Sequence, residues 1–206
     1  VLNSVEQVRR WREAGEGQLC DVMVDTGMNR LGLRVEEALG GALDGLMIET
    51  LHSHLASADE DSDQNARQLA AFRTLRERIP ARRYSLANSA GICLGADYVF
   101  DLTRPGIALY GGIPRVEAAE QIRQVVFPEA RILQVRSVAA GESVGYGATW
   151  TAPRDSRIAV ANLGYADGYL RCHAGRGGAT WQGRRLPLVG RVSMDLTAFD
   201  VSAVDG

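Results

Sequence analysis

The feature that most constrains this chain is a change of periodicity near residue 126. Before it, short apolar runs alternate with helical stripes; after it, short strands and turns follow one another. In VEQVRRWREA (5–14), Val5, Val8 and Trp11 recur at helical spacing and predict an amphipathic helix. CDVMVDTG (20–27) is a short apolar run ending in a turn, hence a buried strand. RVEEALGGA (34–42) predicts a short helix, and LDGLMIETLHSHLAS (43–57) a second buried strand running into a loop. Residues 60–79 carry Leu69, Phe72, Leu75 and Ile79 as a helical stripe. RRYSLANSAG (82–91) reads as strand and loop. ICLGADYVFDLTRPGIALYGG (92–112) reads as a short helix, a strand and a glycine-rich loop. Repeated strand–loop–helix order predicts parallel βα units, because a parallel neighbour is reached only through a crossover.

Beyond the change, ARILQVRSVAAGESVGYGATWTA, RIAVANLGYADGYLR and ATWQGRRLPLVGRVSMDLTAFDVS are strands cut by Gly, Pro and Asp turns, with a hairpin expected around Gly183. The expected organisation is therefore α/β over residues 1–125 and a mostly antiparallel β-domain over 126–206. No apolar run approaches the ~20 residues that span a bilayer. A net charge of −2 supplies neither a basic stripe for nucleic acid nor a polybasic membrane patch. VLNSVEQVRR lacks the apolar core of a signal peptide. Cys20, Cys93 and Cys172 are odd in number and widely spaced, which favours free thiols in a cytoplasm over disulfides or zinc. All 23 of the Lys+Arg residues are arginine, so no side chain here can form a Schiff base with an aldehyde cofactor.

Several stretches carry chemistry-bearing side chains. VDTGMNRLG (24–32) puts Arg30 after a strand, at the end of a βα unit where barrel active sites lie; a salt-bridged surface arginine on a glycine turn fits the same residues. His52 and His54 would share one side of a strand, yet with no third ligand nearby no metal site is expected; a single histidine hydrogen-bonding another polar site residue, or a buried core histidine, fits the same residues. SLANSAG (85–91) and TRPGIALYGG (103–112) each end a strand in small residues whose amides can approach an anion. Ser89 could add a hydroxyl, and Gly106 and Ile107 their backbone amides, to a phosphate cup. In LGYADGYLR (163–171) a tyrosine is a poor base at its ordinary pKa near 10 unless cations stabilise the phenolate. Arg171 and the arginines of 183–195 are candidates for that role, and packing of a β-corner is the plainer alternative.

VDTGMNRLG, HLASADE, ANSAG, RPGIALYG, GYADGY and GRVSMD, in this order, resemble the pyridoxal-phosphate-dependent alanine racemases of fold type III. The resemblance runs over essentially the whole chain. It implies the C-terminal part of a (β/α)8 TIM-type barrel in 1–125 and the beginning of the family's β-domain in 126–206. It further implies pyridoxal 5′-phosphate as cofactor, alanine as small-molecule substrate, and a homodimer whose active sites combine both subunits. On this resemblance Tyr165 is the catalytic tyrosine, serving from the partner subunit, and Arg104 contacts the pyridine nitrogen. His54 holds that arginine in place, and Arg30 lies near the cofactor's phenolic oxygen and the substrate carboxylate. Ser89, Gly106 and Ile107 are phosphate ligands, Met194 touches the substrate carboxylate, and Asp59 and Arg191 line the channel that admits substrate.

The departures are equally specific. The family's second acid/base, the lysine of a segment resembling KANAYGHG that also anchors the cofactor, has no counterpart here. The family more often has a histidine before the ANSAG loop and a second tyrosine at the Trp150 position. The sequence is thus expected to be an internal piece of an alanine racemase, inactive by itself for want of the lysine. A racemase of different specificity, or a non-catalytic truncated paralogue, would fit the same motifs.

Overall fold

The computed structural model describes residues 1–15 and 17–204. It contains two compact units, Val1–Phe127 and Pro128–Gly206. In the first, the order is α1 (Val5–Ala14), β1 (Leu19–Asp25), β2 (Leu33–Arg34), α2 (Val35–Glu37), β3 (Met47–His52), α3 (Asp63–Arg78), β4 (Arg83–Ser85) and α4 (Ser89–Cys93). The four strands form one parallel sheet in the order β2-β1-β3-β4. Leu2 adds a parallel bridge to Val22 beside β1.

Alternation decides the faces. Cys20, Val22 and Val24 of β1 are buried while Asp21, Met23 and Asp25 are half-exposed. The apolar face packs with Val8 of α1 and Leu69, Phe72 and Leu75 of α3, whose stripe forms as the helical period predicts. Ser62 caps α3 by accepting the Gln64 N–H at 3.2 Å. Phe72, fully buried, meets Phe100 edge to face with ring centroids 5.0 Å apart. Two expectations need correction. Val5 is 45% exposed, so only Val8 of the α1 triad is fully buried, with Trp11 packed against the core. The strand expected within 92–112 is reduced to a single bridge between Asn88 and Arg104. The physical reason lies in the chain just before it. Phe100 adopts a left-handed φ of 51°, and the Asp101 carboxylate accepts the Tyr84 N–H that a ladder would have used. Asp101 and Leu102 N–H both donate to Tyr84 O, and Arg104 N–H to Ala87 O, so the segment still runs alongside β4.

The second unit comprises β5 (Ile132–Val138), β6 (Ser143–Val144), β7 (Trp150–Thr151), β8 (Ser156–Ala161), β9 (Gly178–Trp181), β10 (Arg184–Val189) and β11 (Thr197–Asp200). Five of these make an antiparallel sheet in the order β5-β8-β11-β10-β9, and β6 pairs with β7. The β9–β10 hairpin turns at Gln182 and Gly183 with φ of 48° and 79°, the double left-handed geometry that matches strand twist. Ala159, Ala161, Leu186, Leu188 and Phe199 form its main core. Among the described residues no helix is long and apolar enough to cross a membrane.

Phe72→Ala should lower the unfolding free energy by about 3–5 kcal/mol, because truncation removes buried area and leaves a cavity under Phe100. The shift of the urea midpoint measures it.

Candidate functional site

The ends of the parallel strands carry the candidate residues of the first unit. After β1, Asp25 turns its carboxylate back onto the loop: Oδ1 accepts the N–H of Gly27 and of Met28, both at 2.8 Å, and Oδ2 accepts that of Arg30 at 3.0 Å. Burial alone would raise the Asp25 pKa; the backbone donors of residues 27–30 outweigh it and lower it. The loop that presents Arg30 is therefore fixed by an ionised carboxylate.

Arg104 is the centre of this end of the sheet. Its half-buried guanidinium donates through Nη1 to Ser85 Oγ and through Nη2 to Ser53 O. Both serines are fully buried. Ser85 Oγ in turn donates to Leu102 O at 2.6 Å, so its proton is committed and its lone pair faces the arginine. Ser53 Oγ pairs with Thr26 Oγ1 at 2.7 Å. Gln68 of α3, 1% exposed, donates to Thr26 Oγ1 at 3.1 Å and to His54 O at 2.9 Å, and accepts the Ala56 N–H at 2.9 Å. Among the described residues no carboxylate pairs with Arg104, and burial lowers its pKa from the usual guanidinium value.

Both histidines feel that charge. The His52 pKa is lowered to about 4, first by burial and then by the Arg104 cation. Its Nε2 is buried without a hydrogen-bond partner among the described residues. His54 is likewise lowered, by burial first and then by Arg104 and Arg30, so these three groups lie within electrostatic reach. The expectation that His54 holds Arg104 needs correction. The His54 Nε2 faces Asn88 Nδ2 at 3.5 Å, because His54 lies beyond the end of β3 while the guanidinium reaches back to Ser53 and Ser85.

Ser89, first residue of α4, meets the 104–112 loop. Its Oγ accepts the Gly106 N–H at 2.8 Å and the Ala108 N–H at 3.3 Å. The Gly106 and Ala108 amides, rather than that of Ile107, thus turn onto the Ser89 hydroxyl. A Cβ on Gly106 would meet nothing within 4 Å, so the space above the loop is open. Asp59 is exposed on a loop that Arg115 secures from Nη1 to Ala58 O at 2.9 Å and from Nη2 to Asp61 at 2.5 Å.

In the second unit, residues Tyr165–Asp167 form one tight helical turn against the loop that carries Met194. Tyr165 N–H donates to Ser193 O at 3.0 Å and Ala166 N–H to Met194 O at 2.9 Å. A Cβ on Gly164 would lie 2.1 Å from Met194 O, so only glycine permits this approach. Tyr165 is 37% exposed, and the Arg171 guanidinium carbon sits 5.8 Å from its ring centroid. Tyr165, Arg171 and Met194 are therefore gathered, whereas Arg191 lies against Gly145 and Gly147, its guanidinium 3.3 Å from where a Gly147 Cβ would stand.

Two family descriptions match the chain: "Alanine racemase, N-terminal domain" over residues 1–114 and "Alanine racemase, C-terminal domain" over 125–206. The chain belongs to the alanine racemase family. It is 48% identical to the alanine racemase of Rhodospirillum rubrum, with 99% of this chain and 57% of that protein aligned. It is 46% identical to that of Acidiphilium cryptum, over 98% of this chain and 59% of the relative. The crystal structure of the Bartonella henselae alanine racemase, with covalently bound pyridoxal phosphate, superposes at a TM-score of 0.83 and 34% identity. It covers all of this chain and 60% of that one. The chain thus spans somewhat under 60% of the length of the curated relatives named here.

Ser53, Ser85, Thr26 and Gln68 were not singled out by sequence. Ser53 grips Arg104 through a main-chain oxygen, which no side-chain pattern reports. The signal for Ser85 was its place before ANSAG, where this family more often has histidine.

Two measurements check this geometry. Gly164→Ala should force the Tyr165 turn away from Met194 and cost roughly 2 kcal/mol or more, read by denaturation and by displaced amide shifts of residues 164–168. His52 should titrate near pH 4 in a proton NMR series. Its folded pKa lies below the unfolded 6.5, so the unfolded chain takes up the proton first. Stability relative to His52→Gln should therefore fall as pH drops from about 6.5 to about 4, and level off below.

Proposed function

We propose that the protein to which this chain belongs interconverts L-alanine and D-alanine with pyridoxal 5′-phosphate. On this reading it works in the cytoplasm as a homodimer with shared active sites and supplies D-alanine for peptidoglycan. The observation that carries the reading is Arg104, a half-buried cation with no carboxylate partner among the described residues, set beside the Ser89–Gly106 loops at the strand ends. The three free cysteines suit a reducing compartment.

The residues present fit two ends of the cofactor. Ser89 with the amides of Gly106 and Ile107 would hold the phosphate, in the open space above Gly106. Arg104 would face the pyridine nitrogen, where a permanent cation keeps the ring unprotonated. Arg30 would lie near the phenolic oxygen and the substrate carboxylate. The aldehyde end has no partner among these residues, because the chain holds no lysine; we place that lysine, the second acid/base, outside this sequence and read the 206 residues alone as inactive. When bound, the cofactor would withdraw electrons from the substrate Cα–H bond.

The chain's own residues would then divide the work. Tyr165, from the partner subunit, would carry a proton to and from one face of Cα at its Oη. Arg171 supplies positive charge over its ring. Met194, fixed to the same turn, would meet the substrate carboxylate. Asp59 and Arg191 would line the route by which alanine arrives. His54 would remain neutral beside Arg104 and Arg30.

In the full-length protein, Tyr165→Phe should cut racemisation by about 10²–10⁴-fold through loss of one proton carrier, while cofactor binding persists. Chiral chromatography with alanine, serine, lysine and arginine measures it. Unchanged turnover in the variant, or faster turnover of another amino acid than of alanine, would sink the assignment.

A further inference from the structure

We propose that Ser85 is the positioning residue for Arg104, and that this chain anchors its site cation through neutral oxygens alone. The proposal rests on the reading of Arg104 as the partner of the cofactor's ring nitrogen, and names what fixes that partner.

Four observations carry it. Ser85 Oγ and Ser53 O take the two Nη groups of Arg104, one from the end of β4 and one from the residue after β3. Ser85 is paired across the sheet with His52, so it sits in regular ladder structure and is fully buried. Its own proton goes to Leu102 O at 2.6 Å, two residues before the arginine, so the hydroxyl ties the guanidinium to β4 and to its own main chain together. None of these oxygens titrates near neutrality, and no carboxylate joins them among the described residues.

Two consequences follow. The hydroxyl presents a lone pair at every pH the protein meets, so Arg104 is held identically across the working range; a histidine there would add an ionisation and lose its acceptor on protonation. No carboxylate compensates the charge of Arg104 among the described residues, and it adds to burial, the larger cause, in pushing His52 and His54 toward their neutral forms.

The test is guanidinium ¹⁵N NMR of the full-length protein, first without cofactor. Ser85→Ala should speed exchange of the Arg104 Nη hydrogens by about tenfold, the loss of one hydrogen bond to a charged group. Ser85→Thr, which keeps the hydroxyl, should restore slow exchange. Ser85→Cys, of nearly the same size with a weak acceptor, should fall between them and reports on the fold when packing is kept. Unchanged Arg104 exchange in Ser85→Ala would overturn the proposal. A second readout concerns the cofactor. In Ser85→His the absorbance of bound pyridoxal phosphate should acquire a pH-dependent step that the parent lacks, and a flat profile with histidine in place would also overturn it. The two readings separate cleanly. If Ser85 variants loosen Arg104 but neither they nor Arg104→Gln alter the bound cofactor's spectrum, Ser85 positions Arg104 and the ring-nitrogen role fails. If Arg104→Gln alters the spectrum and Ser85→Ala leaves Arg104 exchange untouched, the ring-nitrogen role stands and Ser85 fails.

Discussion

A guanidinium held at the end of a parallel sheet by uncharged oxygens is the constraint around which the first unit is organised. Removing a cation from water is costly unless its donors are satisfied, and here the acceptors come from separate stretches of chain. Ser53 follows β3, Ser85 ends β4, and Leu102, which fixes the Ser85 hydroxyl, lies just before the arginine itself. None of these groups can reach Arg104 unless β3 and β4 are in register and the 101–104 segment runs alongside them. The Thr50–Arg83, Leu51–Tyr84 and His52–Ser85 pairings provide that register. The two histidines beside the cation are held toward their neutral forms first by burial and then by the Arg104 charge, which disfavours a second positive charge nearby.

The helix behind the sheet supports this end as well as the core. α3 buries Leu69, Phe72 and Leu75 as an amphipathic helix must, and also buries Asn65 and Gln68. Those two amides are not core-filling side chains. Gln68 bridges the loops after β1 and β3 through Thr26, His54 O and Ala56, and Asn65 donates to Ser57 O and Glu60 O. A buried amide costs free energy where its polar atoms lack partners; loops satisfy both ends of Gln68 and the Asn65 Nδ2, while the Asn65 Oδ1 has no partner among the described residues. The strand-end loops are thereby fastened to a rigid helix, which is what a binding site at strand ends requires.

What could be read from the sequence follows the physics of periodicity. The α3 stripe, the parallel βα order and the hairpin at Gly183 were legible because helices repeat at 3.6 residues, strands at two, and left-handed turns favour glycine. The stretch before Arg104 was not. Its composition is strand-like, but a left-handed Phe100 and the Asp101 side chain replace the ladder, and neither announces itself in a hydrophobic pattern. For the site, the motif resemblance led to Arg104, Ser89 and Tyr165 and gave Arg104 a histidine partner, whereas its hydrogen bonds go to Ser85 and Ser53. It assigned that role to a histidine by sequence order, whereas the anchor is set by which strand ends lie beside the guanidinium. Serine is too common, and a main-chain carbonyl too universal, for composition to single them out.

The second unit obeys a different rule, contact through absence of a side chain. The φ of Gly164 is −147°, which any residue adopts, so its need for glycine is steric and not conformational. The missing Cβ lets the Tyr165 turn donate two main-chain hydrogen bonds, from Tyr165 N–H and Ala166 N–H, to the Ser193 and Met194 carbonyls. Those carbonyls precede β11, and Thr197 Oγ1 returns a bond to Leu163 O at 2.6 Å, so the two loops are closed on each other from both sides. The backbones at Tyr165 and Met194 are consequently set by main-chain bonds, with the Tyr165 ring in addition under the Arg171 guanidinium. In the first unit a charged side chain is immobilised by its partners, and in the second an uncharged one is presented by its main chain. A half-buried cation persists only where its donors are satisfied, whereas a half-exposed ring on a turn can leave its polar end to solvent.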